Sequence, residues 1–174
     1  MGSIKTKPRS IKEIRKKANL IRTVVKRIHG QDEEFPIIEF VESYLPQIFD
    51  EFILHVEEVN VMNNNHGLTD VKSGTIRLRE DVYNGACDGK GRDRFTIAHE
   101  LGHLLLHSQD NLELARSDNE IKAYENPEWQ ANRFAAELLM PLDLITSDDT
   151  VETLSRRFGV TYSAAEVRLN SLGM

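Results

Sequence analysis

Cysteine is almost missing from this chain: Cys87 is the single one among 174 residues. No intrachain disulfide can form, and a zinc module built on several thiolates is excluded. One lone thiol suits a reducing interior, so a cytoplasmic protein is expected. Long apolar runs are missing as well. Nothing approaches the roughly eighteen residues that span a bilayer, and no signal-peptide core follows the N-terminus. There is no internal repeat and no low-complexity tract, which sets aside solenoids and disordered linkers. Acid is scarce at one end only. Residues 1–30 hold ten Lys or Arg and a single acid, Glu13, whereas the remainder holds 12 bases and 27 acids. A uniform nucleic-acid-binding domain is not expected from that balance. A basic arm on an acidic body describes it better.

What remains is globular: 40% hydrophobic and 29% charged, in a chain long enough to bury a core unaided. The first ten residues read as a loose tail. Ile11, Ile14, Ala18, Ile21, Val25 and Ile28 recur at three and four spacing, which predicts a helix over 11–28 that packs its apolar stripe on the body. A second helix is expected over 36–49, interrupted near Pro46. Alternation from Phe52 to Val61 predicts a strand, and Thr75–Leu78 another. A helical piece follows over 80–87, then a polar loop over 88–92. Asp93 can cap a helix over 94–107. Asn126-Pro127 opens a further helix that must stop near Met140, because Pro141 follows. Two short helices broken at Gly159 close the chain. The expected class is α+β: a small sheet containing antiparallel pairs, with flanking helices. Three units are expected: a basic tail and helix over 1–30, a main domain over 31–148, and a two-helix segment over 149–174 packed on it. That last segment has some helix-turn-helix character. Arg168, however, falls where such a motif needs an apolar residue, and the segment's charge is too small for phosphate contacts.

The chemistry concentrates in His99-Glu100-Leu101-Gly102-His103, an H-E-x-x-H inside a predicted helix. At 3.6 residues per turn, His99 and His103 lie about 40° apart around the axis, so both imidazoles can reach one metal ion. Glu100 sits on the rim of the same face, near the ion without ligating it. Ile97, Ala98, Leu101, Leu104 and Leu105 cover the other side. Zinc is the natural ion for imidazole donors in a tetrahedral site. With a bound water acidified by the metal, Glu100 is placed to take its proton and pass it to a leaving amine. That is metal-assisted peptide hydrolysis.

Two histidines need a third protein ligand. The metzincin extension requires Gly and His at positions 106 and 109; Leu106 and Gln109 stand there, so that class is excluded. A carboxylate from a second helix is the alternative. Glu128 is the best candidate, with Asn132 one turn later as a hydrogen-bonding support for a ligand. Glu125, Glu120 and His107 are its rivals. His107 continues the ligand stripe but reads better as a rim or supporting group.

RDRFTIAHELGHLLLH and the later ENPEWQANRFAAELLMP together resemble the ImmA/IrrE family of bacterial and phage zinc metallopeptidases. The resemblance is tight over residues 74–141, looser through the tail, and does not reach residues 1–50. It implies a gluzincin-like fold with His99, His103 and Glu128 as Zn²⁺ ligands and Glu100 as base. It also implies a protein substrate, a helix-turn-helix repressor or antitoxin, whose loss switches on stress, mobile-element or toxin–antitoxin genes. Many members carry a repressor-like domain at the N-terminus; this chain has a basic helix there, so the partner is expected to be a separate protein. In proteases of this shape an extended substrate pairs with an edge strand; Thr75–Leu78 is the candidate edge, with an interior strand as the alternative. Two competing readings are a metal-binding regulator or toxin component that acts by contact, and a DNA-binding protein using the basic arm. Glu100 argues against the first and the acidic body against the second.

Overall fold

The computed structural model describes residues 3–30, 33–108, 113–115 and 121–174. Ser10 sets the start of α1 (Ile11–His29) by a reciprocal cap. Its Oγ accepts from the Glu13 N–H at 3.2 Å, and Glu13 Oε2 accepts from the Ser10 N–H at 2.7 Å. Ile14, Ala18 and Val25 enter the core, while Ile11 and Ile28 at the two ends of the stripe stay exposed. The residues before α1 are not a loose tail. Ser3–Lys5 form β1, antiparallel to β5 (Glu113–Ala115). The ladder, invisible in sequence, involves two three-residue segments far apart in the chain.

The stretch expected as one interrupted helix is α2 (Ile37–Glu39), a π-helical turn over Phe40–Tyr44, and α3 (Leu45–Ile48). In an α-helix the Pro46 ring would clash with the carbonyl of Glu42, and a wider turn stands there instead. The sheet has three strands in the order β2-β4-β3: β2 (Ile53–Glu57), β3 (Gly67–Asp70) and β4 (Thr75–Arg79). β2 runs parallel to β4 and β3 antiparallel to it. The expected strand over 52–61 therefore ends early. Glu57 pairs with Arg79, the last residue of β4, so the ladder has no partner left and Val59–Met62 turn into α4. The expectation that Thr75–Leu78 is the edge is also corrected. β4 is the central strand, buried at Ile76 and Leu78, and β3 is an edge.

α5 (Glu80–Cys87), α6 (Gly91–His107), α7 (Pro127–Leu139), α8 (Val151–Phe158) and α9 (Tyr162–Leu172) complete the α+β architecture. α6 begins three residues before the expected start, so Asp93 is not its cap but lies in the first turn, where an acid suits the helix dipole. Gly91 permits this start. A Cβ there would stand 2.5 Å from the carbonyl carbon of Val160, in the turn between α8 and α9. α6 packs on the sheet by one side and on α7 by another; α7 in turn packs on α1. The residue that spoils a helix-turn-helix reading, Arg168, is buried and ties α9 to α7. Its guanidinium donates to both oxygens of Glu137 at 2.9 and 2.8 Å and to the Met140 carbonyl at 3.0 Å. Among the described residues no helix is long and apolar enough to cross a membrane.

Candidate metal centre

Two helices make the site, and a glycine lets them meet. Gly102 lies between the two histidines on α6. A Cβ on it would come within 3.1 Å of Ala131 Cα and 3.2 Å of a Phe134 ring carbon on α7. With hydrogen there, the backbones approach closely. Ile97, Ala98, Leu101 and Leu104 are fully buried and hold α6 in place. The start of α7 is set by Asn126, whose Oδ1 accepts from the N–H groups of Glu128 and Trp129 at 2.8 and 3.1 Å. Pro127 takes the first helical position, where a missing N–H costs nothing. Glu128 follows, in the first turn, aimed at α6.

His99 Nε2 and His103 Nε2 are 3.0 Å apart. Glu128 Oε2 is 3.2 Å from the first and Oε1 is 3.3 Å from the second. A tetrahedron whose ligand bonds are about 2.05 Å long has edges of about 3.3 Å. The three donors thus already stand at the mutual spacing of ligands around one small cation, and all are of the type such an ion takes. The residues present fit a metal. Their electrostatics fit as well. The imidazoles of His103 and then His99, which face it through Nε2, hold the Glu128 carboxyl far below the ordinary carboxylate range. Burial alone would lower the His99 pKa, but Glu128, the Glu100 charge and Asn132 outweigh it and raise it. Positive charge is favoured at this point, whether it arrives as a proton or as a metal.

His99 Nδ1 donates to Asn132 Oδ1 at 2.9 Å, which leaves Nε2 with the lone pair. His107 does not join the ligand trio: its Nδ1 faces Nδ1 of His103 at 3.3 Å. Of the remaining rivals, Glu125 is turned away into an ion pair with Lys5 at 2.8 Å, and Glu120 lies outside the described residues.

Glu100 is buried beside the trio and is held by the sheet. Thr69 Oγ1, on β3, donates to its Oε2 at 2.6 Å and lies 3.1 Å from its backbone carbonyl. Gly67 makes room for the same side chain: a Cβ there would stand 2.6 Å from Glu100 Cγ and 2.9 Å from Oε1. His99, His103, Glu128, Glu100 and residues 67–69 line one open cavity of about 310 Å³. Sequence reasoning missed Gly67 and Thr69. No local signal marks them, since their role comes from β3 lying against α6.

Residues 51–170, well over half of the chain, match the family model Peptidase_M78, described as IrrE N-terminal-like domain. No curated protein matches the chain.

Proposed function

This chain belongs to the Peptidase_M78, IrrE N-terminal-like family, a membership that supports a metallopeptidase-type activity, and from that premise we propose a zinc-dependent endopeptidase that cleaves a separate helix-turn-helix repressor or antitoxin. The observation that carries the reading is the convergence of His99, His103 and Glu128 donors within 3.0–3.3 Å of one another, beside a second acid that does not converge with them, Glu100. A purely structural metal site has no use for that extra carboxylate. His99, His103 and Glu128 would hold the ion; when bound, it supplies a Lewis acid that acidifies water and polarises a carbonyl.

The protein's own groups do the rest. The Glu100 carboxylate takes the water proton and carries it to the nitrogen of the departing amine. Thr69 fixes Oε2 of that carboxylate, so its orientation is set before substrate arrives. Buried apolar residues under α6 keep the imidazoles from swinging. β3 offers an outer edge with backbone groups that no described strand takes up, and residues 67–69 bring that edge to the cavity. An extended peptide adding to β3 would lie across the site. The acidic body, with 12 bases against 27 acids beyond residue 30, suits attraction of a cationic, DNA-binding partner.

The test is to search the neighbouring reading frames for a helix-turn-helix repressor, mix it with the zinc-loaded protein and look for fragments by mass spectrometry. Cleavage by the wild-type protein and none by Glu100→Gln, at equal metal content, is the expected result. Equal fragments from both proteins would sink the hydrolytic role of Glu100. Release of the repressor from its operator with no fragments at all would favour a regulator acting by contact.

A further inference from the structure

Gln130 is fully buried on α7, next to Ala131, which meets Gly102. Its Nε2 lies 2.9 Å from the carbonyl oxygen of Lys7 and 2.7 Å from that of Tyr124. A carbonyl oxygen can only accept, so the amide NH₂ must face both, and Oε1 must point the other way. Oε1 stands 3.1 Å from His107 Nε2. That nitrogen must therefore carry a proton. A neutral imidazole carries one proton, so in that form His107 Nδ1 is an acceptor. It lies 3.3 Å from His103 Nδ1, which must be the donor. The lone pair of His103 is then left on Nε2, the atom that faces His99 and Glu128. Two backbone carbonyls thus dictate, through two side chains, which nitrogen of His103 can ligate.

We propose that Gln130 and His107 are positioning residues of the metal centre, and that the N-terminal arm takes part in it through the carbonyl of Lys7. The proposal rests on reading the His99, His103 and Glu128 trio as a metal site. The arm is seated for the task. Beyond the β1–β5 pairing, the Thr6 N–H donates to the Glu125 carbonyl at 2.9 Å and the Arg9 N–H to the Tyr124 carbonyl at 3.0 Å. Tyr124 is thus the shared anchor of arm and relay. The arm lies outside the family match, which begins at residue 51. A segment with no ligand of its own would in this way tune the affinity of a site assembled by α6 and α7.

Two measurements on the full-length protein decide it. Long-range ¹H–¹⁵N spectra of the zinc-loaded wild type should show His107 protonated on Nε2 with Nδ1 bare, and His103 protonated on Nδ1. A proton on His107 Nδ1 overturns the relay, and this readout requires no variant to fold. Chelator competition should show zinc held about tenfold more weakly in Gln130→Met, a near-isosteric change that leaves every ligand in place. Thr6→Pro, which removes the N–H that seats the arm, should weaken zinc in the same direction. Wild-type affinity in Gln130→Met refutes the relay, and wild-type affinity in Thr6→Pro refutes the arm's share in it. A wild-type protein that binds no zinc would instead sink the metal reading itself, a result separate from either.

Discussion

The hydroxyl of Thr69 stands 2.6 Å from Oε2 of Glu100, so the edge strand β3 holds the acid of the H-E-x-x-H motif by its tip. A carboxylate tethered at one oxygen keeps a single orientation, which a general base needs before it can be effective. Thr69→Val preserves shape and removes the donor. The expected outcome is a loss of turnover of about tenfold, the usual scale for a supporting hydrogen bond. Zinc content by atomic absorption should stay at the wild-type level, since no ligand is touched.

Glu128 comes from a different helix than the two histidines and is the exposed member of the trio. Glu128→Ala leaves a two-histidine site, which holds zinc poorly. Competition with a chromogenic chelator should show affinity falling by more than about 100-fold. The metal-free protein should stay folded with only a small drop in melting temperature, because an exposed side chain in a first helical turn contributes little packing. Chelator treatment of the wild type should likewise abolish cleavage, and added zinc should restore it.

Gly102 sets the distance between α6 and α7. Gly102→Val places methyl groups where Ala131 and Phe134 already sit. Overpacking of this kind costs about 1–3 kcal/mol. Denaturant titration should show that loss. Zinc binding should weaken with it, because any separation of the helices carries Glu128 away from the imidazoles.

Glu137 is buried, accepts from Arg168 and Arg15, and lies 3.4 Å from Arg133. Burial alone would raise its pKa, but the Arg168 and Arg15 guanidiniums outweigh that and hold it below the ordinary value. The folded pKa is depressed, so the stabilisation is complete above the unfolded value of about 4.3 and is lost as pH falls through the folded value. Urea titrations should show stability dropping below about pH 4. Glu137→Gln should cost about 3–5 kcal/mol near neutrality, since it strands buried guanidinium charge. In that variant the acid-side drop should be shallower.

Legibility tracked how local each feature is. The helix over 80–87 matches its sequence pattern to the residue, and α7 starts at Pro127 because Asn126 can cap it. Capping and helical periodicity are settled within a few residues, so they can be read along the chain. Sheet order is not local. The alternation in Thr75–Leu78 announces a strand, yet nothing in it distinguishes a centre from an edge, and β4 proved central. Arg168 shows the same limit. As a residue in a pattern it is out of place; its meaning depends on Glu137, more than thirty residues earlier.

On its own, the order of residues determined that His99, Glu100 and His103 share one face of a helix, because 3.6 residues per turn is a property of the backbone. It also determined where α7 begins and which carboxylate stands at its head. Only the three-dimensional packing decided that this carboxylate meets the two imidazoles, that Thr69 and Gly67 cradle the remaining acid, and that a basic arm touches the relay behind His103. Those relations join segments separated by tens of residues. They exist only once buried apolar faces have fixed how helix, strand and arm lie against one another.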